Sequence, residues 1–264
     1  MELFGVSTYL CPRSLTELPR NLAKPAWLAG GTWLFSEPQP RIETLVDLTE
    51  LGWSELEVSA EGMTLGATCT LARLATLSHP GYPALGIFAQ AIQALAASFK
   101  VVNVATVGGN LCLALPIGTL APVMVGLGAS YELWRPDGSS RIVAAQDFQT
   151  GDRQTLLQPG ELLRRVQIPP DYLGWQADYR RAGITANDPA LALVMAALGP
   201  GGVRIVIGAS VAAPRLLSFQ HPPSRGELAA ALDGPWLGDW RASADYRAHL
   251  TRVLIDRSLQ SLAN

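Results

Sequence analysis

Apolar residues fall in short runs along this chain, and glycine, proline and Asx residues interrupt them throughout. That is the pattern of short strands and short helices. Residues 14–23 are expected as a short helix, and 25–28 as an apolar approach to Ala29-Gly30-Gly31-Thr32. Residues 44–48 read as a strand, and 56–58 and 63–67 as a hairpin around Glu61-Gly62. Residues 70–77 and 83–99 are expected as helices, as are 120–127. The runs 131–134 and 141–143 flank Pro136-Asp137-Gly138, a turn signal, and are expected to pair. A strand at 161–168 ends at Pro169-Pro170, the best domain boundary in the chain. Beyond it, 175–181, 191–198 and 203–209 are strand-like, the last two joined through Gly199-Pro200-Gly201-Gly202. A terminal helix starts at Ser243, a capping residue, with Asp245 in its first turn. Its apolar face is expected to carry Tyr246, Leu250, Val253 and Leu254. The fold class is therefore α+β. Residues 1–169 form one domain, with a small part (1–54) and a larger part (55–169). Residues 170–264 form a module of three antiparallel strands with helices.

Composition narrows the classes. Hydrophobic residues make up 48% of the 264 positions and charged residues 16%, which excludes a disordered chain. The net charge of −2, with no Lys/Arg run, excludes a nucleic-acid surface. Cys11, Cys69 and Cys112 form no CxxC pair, which argues against a metal site or cluster within the chain. Their odd number argues against a disulfide framework, and a reducing, cytoplasmic setting is expected. Residues 101–131 carry no charge and would be long enough to cross a bilayer. Glycines and prolines interrupt that stretch, however, so it reads as a buried turn followed by a core helix and no membrane span is expected. Residues 1–10 lack the basic start of a signal peptide.

Two glycine pairs carry the candidate chemistry: Ala29-Gly30-Gly31-Thr32 and Thr106-Val107-Gly108-Gly109-Asn110. Backbone N–H groups bind a diphosphate well, and glycine allows close approach and positive φ. Thr32, Thr106 and Asn110 add side-chain hydrogen bonds. Neither segment is GxGxxG or GxxxxGK[ST], so neither the Rossmann nor the Walker solution is present.

Leu28-Ala29-Gly30-Gly31-Thr32, followed by Thr106-Val107-Gly108-Gly109-Asn110, resembles the FAD-binding subunit of molybdenum hydroxylases, the family of carbon monoxide dehydrogenase and xanthine dehydrogenase. The resemblance continues through Phe148-Gln149-Thr150-Gly151 and Leu157-Gln158-Pro159-Gly160-Glu161-Leu162-Leu163 to Ile168-Pro169. It ends in Asp239-Trp240-Arg241-Ala242-Ser243-Ala244-Asp245-Tyr246-Arg247 with Leu250. It implies two α/β subdomains of the vanillyl-alcohol-oxidase type clasping FAD, with the carboxy-terminal module behind them. Both glycine segments would wrap the diphosphate and ribityl chain, and Leu163 would pack on the isoalloxazine. Arg180 matches a family lysine near the flavin, where a cation stabilises reduced flavin. Trp33 stands where the family has Asp, Leu115-Pro116 where it often has Ser-Pro, and Thr119 where it has an Asp contacting the cofactor. Val102 and Val104 replace basic residues. None of His79, His221 and His249 is placed like a flavin attachment residue, so FAD is expected to be non-covalent. Cys112 is expected to be a packing residue. No catalytic residue and no metal ligand is expected in this chain. Molybdopterin is expected in a large partner subunit and [2Fe–2S] in a small one, with electrons passing through FAD to an external acceptor. A standalone flavin-dependent oxidoreductase and a scaffold that has lost FAD are the alternatives.

Overall fold

The computed structural model describes residues 3–19, 22–135 and 137–263. The chain begins with a parallel three-stranded sheet in the order β1-β3-β2, made of β1 (Thr8–Leu10), β2 (Pro25–Leu28) and β3 (Thr44–Asp47). Its core is Leu15, Leu18, Val46, Leu48 and Trp53, closed by Leu162 from outside the sheet. The helix expected over 14–23 is a single 3₁₀ turn, Leu15–Glu17. Pro19 is the reason: the residue before a proline is pushed out of the helical region, and Leu18 takes ψ 132°. Residues 20 and 21 of that expectation lie outside the described residues.

The second body is a five-stranded antiparallel sheet in the order β4-β5-β10-β6-β7. Its strands are β4 (Leu56–Ser59), β5 (Gly62–Gly66), β6 (Ser130–Trp134), β7 (Ser140–Ala144) and β10 (Leu162–Ile168). The last strand in sequence takes the central place. β8 (Gln149–Gly151) and β9 (Gln154–Thr155) make a separate two-stranded ribbon. The β6–β7 turn contains Asp137 and Gly138, the latter at φ 85°, while Pro136 lies outside the described residues. Helices α1 (Leu71–Ala75), α2 (Ile87–Ala94), α3 (Phe99–Val104), α4 (Val107–Leu113), α5 (Leu120–Gly126) and α6 (Ala145–Phe148) complete it. The helix expected over 83–99 is shorter: a 3₁₀ turn, Pro83–Gly86, leads into α2, which ends at Ala94. Ala96 turns left-handed at φ 54°, and the Ser98 hydroxyl then accepts from Val101 N to start α3. Every residue of α5 is buried, as a helix that is apolar all round requires. No helix among the described residues is long and apolar enough to cross a membrane.

After α7 (Pro170–Leu173) comes an antiparallel sheet of four strands, not the three expected: β11 (Gln176–Ala182), β12 (Ala192–Gly199), β13 (Gly202–Gly208) and β14 (Arg215–Phe219). β14 is a half-buried edge strand, so its alternation is weak in the sequence. Helices α8 (Arg225–Ala231) and α9 (Ala244–Leu262) follow. β12 is covered on both faces. Ala192, Val194 and Ala196 share a core with Leu254 and Ile255 of α9, while Leu193, Met195 and Ala197 join the core of the second body. Arg204 fastens that junction by donating to Gly126 O (2.8 Å) and Val125 O (3.0 Å), two carbonyls of the last turn of α5.

The buried face of α9 differs from the expected one. Leu254 is buried and Leu250 packs on the same core as expected, but Tyr246 is exposed, and Arg247, Ala248, Thr251, Ile255 and Ser258 complete the inward face. A buried arginine at 247 sets this register. It donates to Leu191 O (2.9 Å) and Ala209 O (3.3 Å) and pairs with Asp239 (2.8 Å). An apolar-only count passes over such a residue. Arg247→Met is therefore expected to destabilise the protein by about 3 kcal/mol in urea denaturation, because it takes the buried donor from two carbonyls and one of several partners from Asp239. An unchanged midpoint would contradict this account of the α9 register.

Candidate functional site

The two glycine segments meet at one cleft between the three-stranded sheet and the second body. Trp27, Ala29 and Leu48 form one wall, and Ala67, Thr68, Gly108, Gly109, Cys112, Leu162 and Leu163 the other, around about 480 Å³. Close approach explains the first glycine pair. A Cβ on Gly30 would lie 2.1 Å from Val104 O, so the turn after β2 sits directly on the residues that lead into α4. Gly31 has φ +67°, a conformation that glycine adopts without cost.

The second segment is not a free turn. It is the first turn of α4, capped by Thr106, whose hydroxyl accepts from Gly109 N (3.1 Å). Val107 N donates to Cys69 O (2.9 Å), Gly108 N to Ala67 O (2.8 Å) and Asn110 N to Thr106 O (3.0 Å). Donors expected from both sides of the cleft therefore come, as backbone, from one side. Among the described residues the amides of Ala29, Gly30, Gly31 and Thr32 donate to no protein acceptor. The α4 side offers side chains instead: Asn110 Oδ1 is buried without a partner, and so is Thr119 Oγ1. Buried polar atoms without partners are uncommon, because each costs the desolvation of the group. Open amides in the turn that begins at Ala29 on one wall, and orphaned side-chain atoms in and after α4, fit a ligand rich in acceptors and hydroxyls, as FAD is.

Leu28 ends β2, its carbonyl accepting from Leu48 N (2.8 Å). Trp33 lies under the guanidinium of Arg153, 5.0 Å from the ring centroid. Leu163 lines the cleft from β10, where the pairing with β6 shifts register. Thr119 is 1% exposed, and its carbonyl accepts from Tyr179 OH (3.0 Å). Arg180 pairs with Asp178 (2.7 Å) on β11 and is outside the cleft lining. Its register partner is Val194, on the α9 face, whereas neighbouring Tyr179 faces α5.

Other cleft residues gave no clear sequence signal. Burial pushes the Cys112 thiol up to about 12, which keeps it protonated and inert. Glu161 has a fully buried carboxylate gripped by Arg141 through two bonds (2.8 and 2.7 Å) and by Arg135 (2.9 Å). Gln158 N adds a fourth (2.8 Å). Arg141 above all holds the Glu161 carboxyl down at about 2. These partners lie far apart in sequence, so only the Gln158-to-Glu161 turn was visible locally.

A model of the FAD binding domain in molybdopterin dehydrogenase matches residues 4–171, and the chain belongs to that family. It is 30% identical over 271 residues to the carbon monoxide dehydrogenase medium chain of Afipia carboxidovorans, covering 93% of this chain and 90% of that one. It is 36% identical over 116 residues to the xanthine dehydrogenase/oxidase of Gallus gallus, covering 41% of this chain and 8% of that one. Its fold matches quinoline 2-oxidoreductase from Pseudomonas putida 86 with a TM-score of 0.82 and 25% identity, covering 100% of this chain and 98% of that chain. The resemblance read from the glycine segments is thus confirmed, with FAD as the cofactor of the family's domain.

Two outcomes follow from this geometry. Glu161 has a depressed folded pKa, so its contribution to stability is complete above its ordinary 4.5 and is lost as pH falls through about 2. Unfolding free energy measured across that window is expected to fall less steeply in Glu161→Gln; identical slopes would contradict the pairing. Gly108→Ala places a Cβ 2.8 Å from both the Cβ and the carbonyl oxygen of Ala67 and is expected to cost about 1–3 kcal/mol in thermal or urea unfolding. A Cβ on Gly109 meets only the Thr106 hydroxyl, at 3.0 Å, so Gly109→Ala is expected to stay within about 1 kcal/mol of the parent.

Proposed function

We propose that this chain is the FAD-carrying electron-transfer subunit of a molybdenum hydroxylase. Its partners are a large molybdopterin subunit and a small [2Fe–2S] subunit, and electrons leave through FAD to an external acceptor. The observation that carries this reading is the cleft itself. Ala29 lines it opposite Gly108 and Gly109 of α4, the amides of Ala29–Thr32 are unengaged among the described residues, and Asn110 Oδ1 of α4 is buried without a partner. The relatives, a carbon monoxide dehydrogenase medium chain and xanthine dehydrogenases, support the partner assignment. Three unpaired cysteines support a reducing, cytoplasmic compartment.

In this reading the chain binds and positions, and the flavin supplies the redox chemistry when bound. The amides of Ala29, Gly30, Gly31 and Thr32 hold the diphosphate, and the Thr32 hydroxyl adds a donor. Thr106, Val107 and Gly108 fix α4, Gly109 leaves room beside it, and Asn110 and Thr119 take hydroxyls or ring heteroatoms. Leu28 and Leu163 exclude water from the ring system. The positive charge of Arg180 is offset by Asp178. Arg153, stacked on Trp33, is the cation in contact with the continuation of the first turn. The 1–169 and 170–264 division, with the vanillyl-alcohol-oxidase-type arrangement of the first part, is supported by the sheet change between β10 and β11.

Incubation with FAD followed by gel filtration is expected to leave flavin absorbance on the protein. A hundredfold excess over Kd should stabilise it by about 2.7 kcal/mol. Asn110→Ala is expected to weaken FAD roughly tenfold while the unliganded protein stays folded. No retained flavin and no thermal shift at saturating FAD would favour the scaffold reading.

A further inference from the structure

A second pocket, of about 330 Å³ and half open to solvent, lies where the second body meets the carboxy-terminal module. Arg153, Arg241 and Arg247 line it, with Asp152 and Asp239. We propose that it is an oxyanion-binding site for the phosphate or carboxylate group of a small molecule, separate from the FAD cleft.

Charge and unused donors argue for this. Three guanidinium groups face two carboxylates. Asp239 has no acceptor capacity to spare. Its Oδ2 takes Arg241 Nε (3.0 Å), Arg241 Nη2 (2.8 Å) and Arg247 Nη2 (2.8 Å), and its Oδ1 takes the amides of Arg241 (2.9 Å) and Ala242 (3.2 Å). Donors remain beyond those bonds. Arg247 is 1% exposed, and its Nε is buried with no acceptor. Among the described residues Arg241 Nη1 makes no hydrogen bond, and the exposed Arg153 guanidinium stacks on Trp33 without hydrogen-bonding a protein group. A buried guanidinium N–H left unpaired costs the desolvation of a charged group, so a site of this kind favours a charged acceptor.

The amino terminus of α9 lies behind this wall, beside Gly238. Gly238 lines the cavity, and a Cβ there would lie 3.1 Å from Ala244 N at the start of α9. That helix has 19 residues, and the amides of Ala244 and Asp245 in its first turn donate to no protein acceptor among the described residues. A helix amino terminus attracts anions through those amides and its dipole. Guanidinium forks match phosphate and carboxylate equally well in geometry. Asp152 is the opposing element: its carboxylate on the same wall weakens any anion held there.

The test uses FAD-loaded protein, so that the glycine cleft is occupied. Inorganic phosphate and, separately, succinate are titrated by calorimetry at constant ionic strength, with chloride as the control. At least one is expected to bind saturably at one site, and which one identifies the oxyanion. Arg241→Gln should weaken that binding about tenfold, Arg241→Lys should restore part of it, and Asp152→Asn should tighten it a few-fold. Flavin absorbance in the same samples separates loss of FAD from loss of this site. Binding of neither probe above the chloride control would overturn the proposal. So would binding that is unchanged in both Arg241→Gln and Asp152→Asn, since the anion would then sit elsewhere.

Discussion

Helix α4 is held in place by the amides of its own first turn. Val107 N and Gly108 N reach back to the carbonyls of Cys69 and Ala67, just beyond β5. Each such bond is worth about 1 kcal/mol net, and far more is lost if a buried partner goes unpaired. No side chain fits at Gly108, because Ala67 occupies the space. This docking fixes the wall of the FAD cleft. It also sets the level at which Val104 O meets Gly30, and so the position of the first turn. A cleft built this way has one rigid, internally satisfied wall and one wall with donors in reserve.

That asymmetry was hidden in the sequence although its ingredients were not. The glycine pairs at 30–31 and 108–109 were visible, as were the β4–β5 and β6–β7 hairpins, because turn chemistry is local. What each glycine is for was not visible. Gly30 and Gly108 serve close packing, Gly31 serves a positive φ, and Gly109 leaves the cleft open. The partners that decide this, Val104 and Ala67, come from elsewhere in the chain. Asn110 could be named from its place in the motif, but its lack of a protein partner is a property of the assembled core.

The same lesson holds for charge. Periodicity places α9 and its Leu250 and Leu254, but starts the buried face on Tyr246, whereas Arg247 is the buried residue there. Arg204 and Arg247 each donate to two backbone carbonyls, and each ties the carboxy-terminal sheet to a neighbouring helix or loop. Glu161 does the equivalent for the hairpin and the loop at the cleft rim. Buried charges in this protein work as fasteners between units. Arg153 is different: it is exposed, and its guanidinium stacks on the Trp33 ring.

Amide hydrogen exchange with and without FAD tests the central claim most directly. The amides of Val107–Asn110 should already be protected in the FAD-free protein, and FAD should change them little, because their acceptors are within the protein. The amides of Ala29–Thr32 should exchange quickly without FAD and become protected when it binds. Strong FAD-dependent protection confined to Val107–Asn110, with Ala29–Thr32 unaffected, would contradict the account.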